Sequence, residues 1–93
     1  MATYVVLFNW TEQGIKNYKD STDRAEAARK QWSESGIQIT DLYWTIGPYD
    51  LVGLVEAPDD ESLTRALLAL GAQGNVRTTT LRAFGAEEFA QLT

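Results

Sequence analysis

No histidine and no cysteine occur in these 93 residues, and the two absences remove most of the catalytic repertoire. Without imidazole, general acid-base chemistry near neutral pH loses its usual agent, and zinc, copper, non-haem iron and haem lose their commonest ligand. Without thiols there are no disulfides, iron–sulfur clusters or thiolate nucleophiles. No cofactor and no transition-metal site are therefore expected, and only carboxylate sites for Mg²⁺ or Ca²⁺ stay open. Any enzyme built from this chain must work with carboxylates, Lys, Arg, Tyr, hydroxyls or amides.

Positive charge is also scarce. Eight basic residues against thirteen acidic ones give a net charge of −5, and the eight are scattered rather than gathered in a stripe. A nucleic-acid footprint is missing. No apolar run approaches the roughly 20 residues that span a bilayer. The opening Met1-Ala2-Thr3-Tyr4 has no basic region ahead of an apolar one, so a cytoplasmic protein that binds neither nucleic acid nor membrane is expected. With only two prolines and 44% hydrophobic residues, the composition is that of a globular domain. The length suits a single domain over residues 1–93 that buries roughly 60 to 65% of its unfolded surface.

The hydrophobic pattern divides the chain into six principal elements. Thr3 to Asn9 is almost unbroken in apolar and β-branched residues, which predicts a strand buried on both faces. Trp10 to Lys19 turns polar and reads as a long irregular connection, with Ile15 and Tyr18 spaced for a short helical turn. Asp20-Ser21-Thr22-Asp23 supplies capping side chains for a helix whose buried face carries Ala25, Ala28 and Trp32, and Gly36 ends it. Ile37 to Ile46 alternates loosely, as an edge strand does, with Ile37, Ile39, Asp41, Tyr43 and Thr45 on one face. A Gly47-Pro48 turn leads into a second doubly buried strand, Asp50 to Glu56. Pro58 and Asp59 open a helix with Leu63, Ala66, Leu67 and Leu70 as its stripe and Gly71 and Gly74 at its end. Asn75 to Phe84 is the last strand. A brief acidic helix, Ala86 to Gln91, follows Gly85, with Phe89 and Leu92 as its docking residues.

This order is the split βαβ arrangement (βαββαβ) of ferredoxin-like α+β folds, with a four-stranded antiparallel sheet. Its first and third strands are central, and they are the two read here as apolar on both faces. Two helices cover one face of such a sheet. The apolar residues on the other face need a second cover, and a partner sheet from another copy of the chain supplies it: a homodimer or a multiple of dimers is expected.

Tyr4-Val5-Val6-Leu7, Asn9-Trp10-Thr11, Gln13-Gly14-Ile15, Lys19-Asp20-Ser21, Gly47-Pro48-Tyr49-Asp50, Glu56-Ala57-Pro58-Asp59-Asp60 and Gly74 to Phe84 together resemble the GYD-domain family through nearly the whole chain. Gly47, Tyr49 and Asp50 form the turn motif, with Pro48 between the first two. The resemblance implies a ferredoxin-like domain similar to the dimeric α/β-barrel proteins, a group that holds monooxygenases, isomerases and ligand-sensing domains. It implies no particular reaction and assigns no catalytic residue.

Seven residues stand out as candidate ligand-binding groups. Thr78, Thr80 and Arg82 share one side of the last strand. A guanidinium beside hydroxyls can hold a carboxylate or enolate inside a barrel, or it can pair with a surface acid such as Glu56. Asn9 and Trp10, at the end of the first strand, frame a flat ligand or cap and plug the barrel mouth. Tyr43 and Trp44, near the turn, serve as interface aromatics or as stacking groups. Asp50 shapes its turn by accepting backbone N–H bonds, or acts as a base. Lys16, Lys19 and Asp20 read as solvated charges, and Asp59-Asp60-Glu61 as a helix N-terminus rather than a metal cluster.

Three functions fit. One is a homo-oligomeric module that binds or senses a small organic ligand. Another is a cofactor-independent oxygenase or isomerase acting on an enolisable or aromatic substrate, with Arg82 stabilising the enolate. The last is a structural assembly subunit.

Overall fold

The computed structural model describes residues 1–93. Strand β1 (Ala2–Trp10) leads through a short helix α1 (Glu12–Lys16) and a 3₁₀ turn (Tyr18–Asp20) to α2 (Ser21–Glu34). The hairpin strands β2 (Gln38–Trp44) and β3 (Leu51–Ala57) follow, then α3 (Asp60–Ala72), β4 (Val76–Ala83) and a terminal helix α4 (Ala86–Leu92). The sheet is antiparallel in the order β2-β3-β1-β4, so the two strands read as doubly buried are the central ones. The fold is the expected ferredoxin-like one.

Alternation along β1 sends Tyr4, Val6, Phe8 and Trp10 toward the helices and Thr3, Val5, Leu7 and Asn9 to the open face. On β3, Leu51, Gly53, Val55 and Ala57 take the helix side. Trp32, Ile37, Ile39 and Leu63 close the core over them. Complete burial of a Val, Leu or Ile side chain contributes about 1.5–3 kcal/mol, and four side chains here (Val6, Ile37, Val55 and Leu63) are essentially inaccessible.

Helix ends follow the sequence in part. Asp59 caps α3 by accepting the Ser62 backbone N–H at 2.7 Å, and Gly36 ends α2 at φ +78°. Asp20 precedes α2 without a side-chain cap bond. Gly71 lies inside α3, and the terminating glycine is Gly74 at φ +86°. The polar connection is more ordered than its composition suggested. Thr11 caps α1 by accepting the Gly14 N–H at 3.1 Å and donates its hydroxyl to the Gly74 carbonyl at 2.5 Å. Gly14 passes so close to the 73–75 turn that an added Cβ would fall 2.9 Å from the Asn75 carbonyl carbon.

Two readings need correction. The register of β2 slips between Ile39 and Asp41, so Ile39, Leu42 and Trp44 share the helix side while Asp41 and Tyr43 turn to the open face. A bulge places two residues opposite one, and period-2 counting cannot anticipate it. Phe89 and Leu92 do not dock on their own chain. They are 58% and 64% exposed, and Phe84 ahead of them is 45% exposed.

Candidate functional site

The candidate residues fall into two groups on opposite sides of the sheet. Asn9 and Tyr43 belong to the open face, paired across the ladder with Arg77 and Val52. Trp10, Trp44, Thr78, Thr80 and Arg82 belong to the helix side, on which Tyr4 pairs with Arg82, Val6 with Thr80, and Phe8 with Thr78. Adjacent residues of a strand point oppositely, so neither Asn9 with Trp10 nor Tyr43 with Trp44 can grip one ligand.

Arg82 does not face the side of the sheet where a second sheet would pack. Its Nη1 donates to the Thr3 carbonyl at 3.2 Å and to the Ala83 carbonyl. The guanidinium lies 4.3 Å from the Phe84 ring centre and 5.7 Å from that of Tyr4. Glu56 is not its partner: carbonyl oxygens and ring faces satisfy it at an exposed strand end.

Beside it, the Tyr4 hydroxyl donates to Asp60 Oδ1. That hydrogen bond, burial and the Asp60 charge push the Tyr4 hydroxyl from 10.0 up to about 12, against a small opposing pull from Arg82. Because the folded chain holds this proton more tightly than the unfolded one, the contribution to stability is complete below about pH 10 and is lost as pH rises toward 12. Tyr4→Phe is therefore expected to flatten the fall of stability over that window. Urea melts at stepped alkaline pH measure it, and an unchanged slope would show that Tyr4 does not titrate as described.

The turn motif holds the sheet end together. Asp50 Oδ2 accepts the Trp10 backbone N–H at 2.8 Å, while the Asp50 N–H donates to the Phe8 carbonyl and its carbonyl accepts the Thr45 N–H, both at 2.8 Å. Thr45 Oγ1 donates to the Tyr49 carbonyl at 2.6 Å. Gly47 sits at φ +143°, where a side chain would be strained.

Trp10, placed by that bond, helps wall a cavity of about 60 Å³ beneath α2. The cavity lies between the sheet residues Phe8, Leu51 and Val76 and the helix residues Ala25, Ala28 and Leu70. Ser21, Arg24, Gln73 and Asn75 also line it, although its accessible surface is almost wholly apolar. Ser21 Oγ accepts the Trp44 Nε1–H at 2.9 Å. Trp10 Nε1–H is buried and has no acceptor, a state that costs about 1–3 kcal/mol in a protein interior. Ala28, Trp32, Leu70 and Gln73 also line a second space of about 320 Å³, a groove between α2 and α3 bordered by Gln31, Ser35, Ser62 and Arg65. Within the cleft between α2, α3 and the sheet, the cavity (an inner chamber) and the groove are neighbours that share Ala28, Trp32, Leu70 and Gln73.

Sequence reasoning selected Trp10 and missed Ser21, Arg24, Gln73 and Asn75. One signal was available. Arg24 precedes Ala28 by four residues and so puts a cation at the head of the apolar stripe of α2. Gln73 and Asn75 carry no such mark, since the turn at Gly74 brings them in.

The opposite surface is apolar and uncovered. Across three strands, Leu54, Val5 and Leu81 stand side by side, and the next row runs Tyr43, Val52, Leu7 and Thr79. Leu54 is 38% exposed, Leu81 49% and Tyr43 61%. Gln38, Glu56, Asp41, Asn9 and Arg77 surround this patch with polar groups.

No three acidic side chains converge as a metal site, and no helix is long and apolar enough to cross a membrane. The GYD domain matches residues 4–93. The chain is 33% identical over 84 residues to the "Glutamine synthetase and cystathionine beta-lyase binding protein" of Thermus thermophilus, a match covering 89% of this chain and 88% of that one. Its fold is similar to the crystal structure of TTHA0845 from Thermus thermophilus, with 33% identity, a TM-score of 0.58 and 92% and 96% of the two chains covered. It is also similar to MtbAldR, at 19% identity and a TM-score of 0.71, over 90% of this chain and 52% of that longer one. The last likeness is one of fold alone.

Proposed function

Since the chain belongs to the GYD domain family, we propose that it is a binding module that pairs with itself through the open face of the sheet and engages partner enzymes, without chemistry of its own. The observation that carries this reading is the row Leu54, Val5, Leu81 with its neighbours Val52, Leu7 and Tyr43, an apolar surface bordered by polar groups. Such a patch in a small domain marks an interaction site, and its two-dimensional form suits a second copy of the same sheet related by a two-fold axis. The reading of an oxygenase or isomerase loses its footing because Arg82, its enolate-stabilising group, is exposed and bonded to carbonyls outside the cleft.

Engagement of enzymes is carried over from the Thermus relative, which is named for binding glutamine synthetase and cystathionine beta-lyase. Light scattering is expected to return about twice the 10.4 kDa chain mass. Leu54→Glu should give a folded monomer, because a carboxylate in the middle of a dry interface is left without a partner. A wild-type monomer at micromolar concentration, or a Leu54→Glu protein that still pairs, would overturn the sheet-face reading. Co-elution with purified glutamine synthetase from the same cell tests the engagement of enzymes.

A further inference from the structure

The two edges of the sheet meet solvent differently. An edge strand presents a row of unpaired N–H and C=O groups, and folded proteins guard such rows with bulges, prolines, charges or short strands. The β2 edge is guarded, because its register breaks between Ile39 and Asp41 and Asp41 adds a charge there. The β4 edge is not. It runs from Val76 to Ala83 in unbroken register with β1. It has no proline and no acid, and Thr78 to Leu81 form an uncharged stretch between Arg77 and Arg82. The segment that follows does not fold back along it: every residue from Phe84 to Thr93 is exposed, and none bonds to the β4 backbone. The bonds to β1 show which groups face outward. The Thr11 N–H donates to the Asn75 carbonyl at 3.0 Å, in the register that sets Trp10 opposite Val76 and Thr3 opposite Ala83. In an antiparallel strand the N–H and C=O of one residue point to the same side, and the side alternates along the chain. Arg77, Thr79, Leu81 and Ala83 therefore bond β1, while Val76, Thr78, Thr80 and Arg82 direct their backbone groups outward, where none has a partner. Strand β1 agrees, since the Trp10 N–H and the Phe8 carbonyl point the other way, to Asp50.

We propose that β4 pairs antiparallel with β4 of a second copy of this chain, joining the two sheets edge to edge about a two-fold axis at Thr79. Geometry sets the register. A two-fold axis normal to the sheet keeps the helix sides of both copies together, so opposed residues must belong to the same face and differ by an even number of positions. Setting Thr79 opposite itself meets this condition, with Thr78 opposite Thr80 and Val76 opposite Arg82 of the second copy. Every outward N–H and C=O of both strands is then bonded. Centring the axis on Thr78 or Thr80 instead leaves Arg82 or Val76, respectively, beyond the end of the other strand. The side chains suit the same register. Threonine meets threonine at the centre, Arg77 falls opposite Leu81 and Arg82 opposite Val76, so no like charges are opposed. Two identical strands related by a two-fold axis need such self-complementarity, and a foreign strand does not. The pairing is weaker than burial of the open face, because its backbone bonds replace bonds to water and its side chains are mostly threonine. It uses backbone groups in the plane of the sheet rather than Leu54, Val5 and Leu81, and it does not depend on pairing through that face.

Sedimentation velocity of the wild-type protein, from micromolar to millimolar concentration, is expected to show the mean mass at least double from its micromolar value. Leu54→Glu, which removes pairing through the open face, should also double its mass over that range. Hydrogen exchange on the wild-type samples should slow the Thr78 and Thr80 amides by at least about tenfold at the higher concentration, while the Thr79 amide, already bonded to β1, keeps its rate. Thr80→Pro removes an outward N–H at an edge position, where proline is tolerated, and should hold the mass at its micromolar value in a folded chain. Thr79→Pro removes an inward N–H and should instead lower the melting temperature. A constant wild-type mass, or Thr78 and Thr80 amides that exchange equally fast at both concentrations, would overturn the proposal on the unmodified protein. Doubling of Thr80→Pro as in the wild type would do the same. Protection of these amides only when purified glutamine synthetase is added would assign the edge to a strand of that enzyme and overturn self-pairing. The micromolar mass reports the sheet-face reading separately, so loss of one is distinguishable from loss of the other.

Discussion

Gly53→Lys is expected to yield a chain that does not fold at neutral pH. Gly53 lies on the helix side of β3, fully within the core. A Cβ built there would stand 3.4 Å from Leu42 Cδ1, 3.4 Å from Phe8 Cε1 and 3.6 Å from the Asp41 carbonyl oxygen. Those contacts are at the ordinary van der Waals limit, so alanine fits, but each further atom must displace packed side chains. The ammonium then has only apolar groups and one carbonyl around it. Burial of a lysine lowers its pKa by up to about 3–5 units, and at pH 7 the charge cost is capped at about 4.6 kcal/mol, that of deprotonating a group with a free pKa of about 10.4 at about 1.4 kcal/mol per unit, close to the whole stability of a small domain at the low end of about 5–15 kcal/mol. Circular dichroism and a thermal melt read the outcome, with Gly53→Ala as a control near wild type. A cooperative wild-type melt for the lysine variant would place residue 53 at the solvent-facing surface.

Asp50→Ala should cost about 1.5–3 kcal/mol, the range for a hydrogen bond to a charged group. In a domain of this size that lowers the melting temperature by about 4–8 °C for each kcal/mol. The loss has two parts. The Trp10 N–H is left without its acceptor at the end of β1, and the turn from Thr45 to Asp50 keeps only the backbone bond from residue 50 to the Phe8 carbonyl as its tie to the central strand. Asp50→Asn keeps an acceptor oxygen in the same place and is expected to lose less. Because Trp10 is held by this bond, its indole N–H signal should broaden or shift in Asp50→Ala. Equal stability of the alanine variant and the wild type would show that the motif acts elsewhere than in the fold.

Asp50, the last residue of the turn motif, is thus a structural residue that holds Trp10 in place. In Asp50, Trp10, Arg24 and Asn75, a turn, a strand end, a helix and a loop meet at one end of the core. The 11–20 connection is fastened over that end by Thr11 to the Gly74 and Asn75 carbonyls and by Gln13 to Gln73 and Asn75. Arg24 joins it by donating to Asn17 and Gly14. The same bonds that order a polar stretch also hold the cation beside the chamber.

What the linear pattern decided by itself was the scaffold. The unbroken apolar runs at Thr3 to Asn9 and Leu51 to Val55 could only be central strands, since a strand apolar in both parities must be covered on both faces. The stripe Ala25, Ala28, Trp32 and the cap at Asp59 placed the two covering helices for equally local reasons. Absent histidine and cysteine removed whole classes of chemistry without any structure. The site was another matter. Trp10 was visible, but its separation from Asn9 follows from strand alternation, and the parting of Tyr43 from Trp44 hangs on the strand register near the bulge at Ile39/Asp41, a feature of pairing between strands and not of either strand alone. Arg82 sits with Thr78 and Thr80 on one side of β4, as its period-2 spacing says. Which side that is, and that β4 is an edge strand whose end the helices leave exposed, was set by the order β2-β3-β1-β4. The cleft required the docking of α2 and α3 on the sheet, because its walls come from residues as far apart in the chain as Phe8 and Val76. Burial and hydrogen-bond satisfaction are properties of packed neighbours. Only in the folded chain does Trp10 Nε1–H become a donor without an acceptor and Arg24 a cation without an acid.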